Sequence, residues 1–519
     1  MATLDSLPME ILLDIQSFIT IKDLAALSLQ CRRLHDALSD MMARRRYRRL
    51  RVDGDYLPGA FMAFVEILKA PRFGSNVREI VHGPDRRLIK HMKWRPLTDE
   101  NELSLFRAAM AKAGFEGKSA DHLWAALNPK GGLDRADGNI ATNLRNALVV
   151  LLLAVCPNVE TLRETSIRGR FHDDLFKRAC GTPHGNLLRN LRHIDFLRGK
   201  CLTWDTETVI MQELLSIQRL PSIERITLRG VCEMREDAWS RYLMPGVSSV
   251  KKIEIGYFRI QPRDLRWIIQ NPKALEEFQF SSGQLRRFDP YDDWLVNPRL
   301  LGKALLCHKS TLRVLDLDVD NVVLPGNSEE FHSYDEEEED FDDLLMSNMY
   351  NVDERDRPHA EITDQRFKRN RPDTRPYGQT IGSMHDFISL KRLSIGVQLL
   401  CGEPHPELTT PGWRNEHHRV PIRLITALPP NLEYLCIRGY VPGKIPHYTR
   451  QIEEFMGSRD RWPASLKEVH GVEECVDGRP FLCHHDQWGD SDDGNNRDGP
   501  GPERLPWEET EDEWTDYSD

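Results

Sequence analysis

One seven-residue pattern recurs through the chain: a small or polar residue, an apolar one, two mostly polar ones, then apolar-any-apolar. It reads Asn190-Leu191-Arg192-His193-Ile194-Asp195-Phe196, then Ser222-Ile223-Glu224-Arg225-Ile226-Thr227-Leu228 and Ser249-Val250-Lys251-Lys252-Ile253-Glu254-Ile255. Ala274–Phe280, Thr311–Leu317, Ser389–Ile395 and Asn431–Ile437 continue it, with shorter versions at Asn158–Leu162 and Ser465–Val469. The first apolar positions fall at 159, 191, 223, 250, 275, 312, 390, 432 and 466, so the steps are 32, 32, 27, 25, 37, 78, 42 and 34 residues. The closing apolar-any-apolar alternation predicts a short strand with one buried face. No unit of this size holds a core of its own, so neighbouring units must stack.

The pattern resembles leucine-rich repeats, whose period is about 20–29 residues, stretched here by longer helices and loops. That resemblance implies an irregular solenoid over 151–475, with return helices such as 205–218 and 263–271. It departs from the family where an Asn or Cys is usual, three residues after the last strand apolar. Those places hold Gly199, Val231, Phe258, Gly283, Asp320, Gln398 and Tyr440. Strands alternating with helices would also fit an α/β fold of another kind. The 78-residue step contains an insertion at 325–380 without apolar periodicity. A stretch of that composition is expected to be disordered.

The first 46 residues are patterned differently. Pro8 can occupy a first helical turn, where its missing N–H costs nothing. Ile11, Leu12, Ile15, Phe18 and Ile19 follow at helical spacing. Thr20 offers an N-cap, with Asp23 near the positive end of the next helix. Leu24, Leu27, Cys31, Leu34 and Leu38 then form one stripe. So small a unit barely buries a core and leaves apolar surface for a partner.

The motif Leu7-Pro8-x-Glu10-Ile11-Leu12-x-x-Ile15, followed by Asp23-Leu24-x-x-Leu27-Ser28-x-x-Cys31-x-x-Leu34, resembles the F-box. F-boxes dock on the Skp adaptor, which joins them to a cullin scaffold. The resemblance implies that Leu7, Pro8, Ile11, Leu12 and Ile15 are adaptor contacts. It also implies that Leu24, Leu27, Cys31 and Leu34 are shared between the small core and the interface. The whole layout is similar to that of F-box proteins of filamentous fungi.

The expected organisation is α/β: a three-helix F-box at 1–50, a helical linker and cap at 51–150, the solenoid, and an acidic disordered tail at 476–519. Helical patches are expected near 60–69, 99–113, 119–127 and 141–155, with a short strand at Asn76–Val81. The net charge is −11, but residues 329–343 hold ten acids and no Lys or Arg, and 486–519 hold thirteen acids against two arginines. The remainder is therefore basic at about +10. Arg44, Arg45, Arg46, Arg48, Arg49 and Arg51 read either as a nucleic-acid or import patch or as a solvated helix end.

The opening Met1–Asp14 carries three acids and no basic region, and the longest apolar run, Ala147–Cys156, is ten residues against the about 20 of a spanning helix. The expectation is a cytoplasmic or nuclear protein whose ten cysteines are reduced, mostly buried thiols. No phosphate-binding, nucleophile-elbow or zinc-protease motif occurs. Cys475, Cys483, His484 and His485, with Cys401, His405, His417 and His418 nearby in sequence, lack the spacing of a zinc finger. No enzyme activity, cofactor or metal is expected. The resemblance implies a substrate-recognition subunit of an SCF-type ubiquitin ligase, binding the Skp adaptor, through it a cullin, and a protein substrate. An F-box scaffold outside a ligase, or a nucleic-acid binder using the basic body, are the other readings.

The strand residues lying between buried apolars are the candidate substrate contacts. These are His193 and Asp195, Arg225 and Thr227, Lys252 and Glu254, Glu277 and Gln279, Val314 and Asp316, Arg392 and Ser394, and Tyr434.

Overall fold

The structure is a computed structural model. It describes residues 8, 11, 14, 15, 18, 19, 21–53, 57–83, 99–128, 138–164, 170–181, 187–197, 214, 215, 217–229, 243, 245–256, 260, 262–281, 296–320, 380–402 and 423–476. Apart from Thr380, the acidic insertion lies outside them, as do residues 477–519 and most of the expected helix 205–218. The described chain forms two compact units. One is drawn from Met1–Gly199 and Leu220–Ser222, the other from Lys200–Arg219 and Ile223–Leu505.

The first unit opens with helices Ile21–Ser28 and Arg32–Arg48. Strand β1 (Arg49–Val52) follows at once, and β2 (Glu79–His82), β3 (Thr161–Glu164) and β4 (His193–Leu197) join it in parallel. Between the strands run helices Leu57–Lys69, Glu100–Lys112, Gly117–Leu127, Gly138–Val155 and Arg170–Gly181. Four of these match the expected patches. Asp99 caps Glu100–Lys112 by accepting from the Asn101 N–H at 2.9 Å. The apolar run of Gly138–Val155 is buried on every side from Ala147 to Ala154, as an all-apolar helix inside a core should be. Among the described residues no helix is long and apolar enough to cross a membrane.

The second unit continues the scheme with β5 (Arg225–Arg229), β6 (Lys252–Gly256), β7 (Glu277–Ser281), β8 (Val314–Asp318), β9 (Arg392–Gly396), β10 (Tyr434–Arg438) and β11 (Glu468–His470). All are parallel and paired in chain order. Each falls on a sequence repeat. The register aligns the two buried apolars of successive units. One row is Ile226, Ile253, Phe278, Leu315, Leu393 and Leu435, and the other is Leu228, Ile255, Phe280, Leu317, Ile395 and Ile437. Each such side chain contributes about 1.5–3 kcal/mol on leaving water. Pro262–Gln270, Pro298–Leu306 and Pro446–Gly457 are return helices, each starting at a proline that fits its first turn.

The polar first position of the repeat has a structural role. Its side chain donates to a carbonyl of the preceding unit: Asn158 to Ser75 at 2.9 Å, Asn190 to Pro157 at 3.0 Å and Ser222 to Leu188 at 3.0 Å. In the second unit Thr311 bonds Leu275 at 2.8 Å, Ser389 bonds Ser310 at 2.7 Å, Asn431 bonds Ile388 at 2.7 Å and Ser465 bonds Leu432 at 2.8 Å. A ladder of side-chain bonds therefore joins successive units on the strand-entry side. At the usual leucine-rich-repeat position, Asp320 supplies one comparable link. Its carboxylate accepts from the Gln398 and Leu399 N–H groups at 3.0 and 3.3 Å. It sits so close to Gly396 that a Cβ there would meet its oxygen at 1.8 Å, so a larger residue would push the carboxylate out of place.

Buried His308 makes a second link. Its Nε2 lies 2.7 Å from the Ile269 carbonyl, and its Nδ1 accepts from the Leu275 N–H at 3.3 Å. The acceptor bond at Nδ1 requires the neutral ring, and burial holds its pKa down to about 4, against the Ile269 carbonyl, which favours the protonated form. Burial pushes the Asp320 carboxyl up to about 6, against the backbone N–H groups that favour its charge. All seven described cysteines are free thiols. Cys156, Cys401 and Cys436 are buried, whereas Cys307 and Cys475 are exposed.

Candidate functional site

The N-terminal helices pack around Leu24, Leu34 and Leu38, with Ile19, Leu27, Cys31, Met41 and Met42 partly buried against them. Leu24 and Leu34 thus lie inside the small core. Leu27 and Cys31 are half-buried at its edge. Of the N-terminal motif, Pro8 is exposed, Ile15 is half-buried and Ile11 is 43% exposed, while Leu7 and Leu12 lie outside the described residues. Two large apolar side chains stand further out, Phe18 at 87% and Leu29 at 81% exposure. Phe18 belongs to the apolar series read from the sequence but was not singled out as a contact. Leu29 falls off the Leu24–Leu34 stripe, in the turn after the first described helix, so helical periodicity gives no signal for it.

The arginine run divides between a helix and a strand. Arg44–Arg48 end the helix Arg32–Arg48, and Arg49 and Arg51 lie on β1. Arg45 donates to the Ile19 carbonyl at 2.6 Å, which pins the helix to the turn beside Phe18. Arg46 pairs with Glu66 at 3.5 Å, Arg49 with Glu79 at 3.4 Å, and Arg51 with Asp53. Most of this run is therefore engaged within the molecule.

The other candidate surface is the polar face of the sheet. In the first unit the register places Arg49, Glu79, Thr161 and His193 in one row, and Arg51, Val81, Arg163 and Asp195 in the next. Arg163 reaches Glu79 at 2.9 Å and Asp195 at 3.4 Å, so charge alternates across the strands. His193 Nδ1 is 3.5 Å from the Thr161 hydroxyl.

In the second unit one row is Arg225, Lys252, Glu277, Val314, Arg392 and Tyr434, and the next is Thr227, Glu254, Gln279, Asp316, Ser394 and Cys436. The structure brings the candidate substrate residues of each unit onto neighbouring strands of one face. Lys252 and Arg392 are exposed, and most of the others are partly exposed. Thr227 differs, because its side chain is buried and withdrawn from the surface.

Several of these residues are held by partners. Arg225 bonds Glu254 at 2.8 Å and Arg229 bonds its other oxygen. Burial raises the Glu254 carboxyl, but the two guanidiniums outweigh it and leave the group below its ordinary range. Lys252 bonds Glu277 at 2.6 Å. Arg438, which sequence reasoning did not select, bonds Ser394 at 2.8 Å and Asp316 at 3.3 Å across three strands. The Arg392 guanidinium lies over the Tyr434 ring, 4.9 Å from its centroid. The face is a mixed-charge surface held by ion pairs and hydrogen bonds between neighbouring strands.

Of the cysteine and histidine set considered for zinc, Cys401 is buried and Cys475 exposed, while Cys483, His484, His485, His405, His417 and His418 lie outside the described residues.

Comparison with known families finds one match: residues 4–49 fit the F-box-like family model. No curated protein and no solved structure matches the chain. The matched segment covers both described N-terminal helices and the surface that bears Pro8, Ile11, Ile15, Phe18 and Leu29. Residues 4–49 are therefore an F-box-like domain, of the kind that generally binds Skp-type adaptors.

Proposed function

We propose that this protein is the substrate-recognition subunit of an SCF-type ubiquitin ligase. In this reading the F-box-like domain grips a Skp-family adaptor, and through it a cullin, by Leu7, Pro8, Ile11, Leu12 and Ile15. Leu24, Leu27, Cys31 and Leu34 hold the shape of that surface. The polar sheet face holds a protein substrate through residues such as Lys252, Glu277, Gln279 and Arg392. Mechanistically this is tethering. A substrate lysine is kept at high local concentration before a ubiquitin-loaded enzyme on the same scaffold, and no residue of the chain need carry out chemistry. The working division is an F-box at 1–50, a linker and cap at 51–150, a recognition body at 151–475 and a tail at 476–519. A cytoplasmic or nuclear place of action follows from the same reading.

The observation that carries the proposal is the match of residues 4–49 to the F-box-like family, on a domain that leaves Ile11 and Phe18 exposed. The test is co-purification of the full chain with a Skp-family adaptor and a cullin, beside the variant Ile11→Ala, Leu12→Ala, Ile15→Ala. Interface anchors of this kind cost about 1–2 kcal/mol or more each when truncated. The variant is expected to lose both partners while its thermal transition is unchanged. Undiminished adaptor binding by the variant would remove the proposal. Adaptor without cullin would favour a scaffold role outside a ligase.

A further inference from the structure

The buried rows of the sheet are apolar throughout the second unit, but one row of the first unit is not. Its register runs Val52, His82, Glu164, Phe196. The equivalent row of the second unit reads Leu228, Ile255, Phe280, Leu317, Ile395, Ile437. Two adjacent strands of the first unit thus place an imidazole and a carboxylate side by side where the fold calls for leucine or isoleucine. The helix Arg170–Gly181 adds His172 to the same point. All three side chains are completely buried.

Their ligand atoms lie within 4.8 Å of one another. Glu164 Oε1 is 3.7 Å from His172 Nε2. The His82 and His172 rings are nearly parallel, 17° apart with centroids at 5.4 Å. Phe176 flanks His172 at 6.4 Å between ring centroids.

We propose that His82, Glu164 and His172 form a buried metal site for a divalent transition ion of the zinc class. Two imidazoles and one carboxylate are a donor set that zinc accepts, whereas calcium and magnesium prefer oxygen donors alone. An ion held at about 2.0–2.1 Å by each ligand sets tetrahedral donor atoms about 3.4 Å apart, close to the Glu164–His172 separation. Taking three such groups out of water is costly unless charge compensates charge. A divalent cation compensates the carboxylate and uses a lone pair of each imidazole. Three protein ligands leave the fourth tetrahedral position to a water, and full burial suits an ion that ties β2, β3 and the helix Arg170–Gly181 together. Phe176 belongs to an apolar surround of the kind that strengthens metal–ligand bonds. A protonated His172 paired with Glu164 is the competing state of the same cluster, and it needs no metal.

The experiment uses the full chain, stripped with a chelator and then titrated with Zn²⁺ and, as a spectroscopic probe, Co²⁺. Metal content after desalting is measured by mass spectrometry, and each step is followed by a thermal melt. The expected result is one tightly held zinc per chain, a melting temperature that falls on stripping and recovers with Zn²⁺ but not Mg²⁺, and visible Co²⁺ bands of tetrahedral type. The control variant is His82→Leu, Glu164→Leu, His172→Leu, which restores the apolar row and so keeps a folded core. It should bind no Co²⁺ and its melt should ignore Zn²⁺. Wild-type chain that takes up no zinc, or whose melt is indifferent to it, would overturn the proposal in favour of the protonated pair. Undiminished zinc binding by the leucine variant would overturn it too, by moving the metal to other residues of the chain.

Discussion

The F-box-like domain and the second unit are built from the same kinds of apolar residue and put them to opposite uses. In the second unit nearly every strand apolar is enclosed: Leu315, Leu317, Leu393, Ile395, Leu435 and Ile437 expose no surface. Among the described residues of the F-box-like domain, Leu24, Leu34, Leu38 and Tyr47 are the enclosed apolar side chains, whereas Ile11, Phe18 and Leu29 face water. A repeat stack buries its apolar side chains against its neighbours and is complete in itself. A helical module of under fifty residues cannot do this and leaves apolar surface outward, which in the proposed function is what the adaptor covers. Stability should therefore respond to substitutions in one region, and partner binding to substitutions in the other.

The largest effect is expected from Leu315→Asp. It places a carboxylate among fully buried apolar side chains at the middle of the second unit, at a cost of several kcal/mol. A thermal melt should show loss of the cooperative transition. Retention of the wild-type melting temperature would mean that the strand does not carry the core. Next in size is the pair Phe18→Ala and Leu29→Ala. Combined, these are expected to weaken adaptor affinity by about 2–4 kcal/mol, or 30- to 1000-fold, with the melt unmoved. Isothermal titration with the adaptor measures it, and a fall in melting temperature without loss of affinity would break the contrast.

A third experiment sharpens the contrast within the second unit, where two enclosed titrating groups oppose each other. His308 has a pKa of about 4 in the folded chain against 6.5 ordinarily. The unfolded chain thus binds the extra proton between those values, and stability from this group is lost as pH falls from about 6.5 to about 4. Asp320 is raised from 3.8 to about 6, so there the folded chain binds the proton, and stability is lost as pH rises through that window. Each effect is on the order of 3 kcal/mol when complete.

Between about pH 4 and 6 the two nearly cancel. Asp320→Asn should leave stability rising more steeply with pH than in the wild type, and more stable near neutrality. His308→Gln should tilt the profile the other way. Denaturant melts across the window read the difference, and profiles parallel to wild type would exclude both assignments.

The smallest effect is expected from Asn431→Ala, which removes one rung of the ladder between units, to the Ile388 carbonyl. A cost of about 1 kcal/mol is anticipated from chemical denaturation, and an equal loss of adaptor affinity would contradict the separation of the two regions.

Much of this was legible in the sequence because strand and ladder share one local pattern. The apolar-any-apolar ending fixes the strand, and the polar first residue, read at first only as part of a repeat, marks the bond to the previous unit. Strand β1 was missed because Arg49 and Arg51 read as part of a run of cations. The alternation of Arg49-Leu50-Arg51-Val52 is a strand signal too short to stand out beside it. Leu29 left no trace because exposure on a turn follows no period. The His82, Glu164 and His172 cluster is drawn from three separate repeats and connections. Its single sequence signal is an interruption, a Glu at 164 and a His at 82 where the pattern calls for an apolar side chain.

The pairing of β8 with β9 bears on the order in which the second unit assembles. Val314 is in register with Arg392, 78 residues away, whereas β6 and β7 pair across 25. Closing the longer connection costs only about 1 kcal/mol more, because loop-closure entropy grows with the logarithm of length. The equilibrium structure tolerates the insertion at that small cost, but the kinetics see it differently. The strands β5 to β8, with near neighbours in sequence, can zip locally. The β9 to β11 group can do the same, and the two meet at the one distant pairing. That junction is therefore expected to close last, and until it does two strand edges stay open.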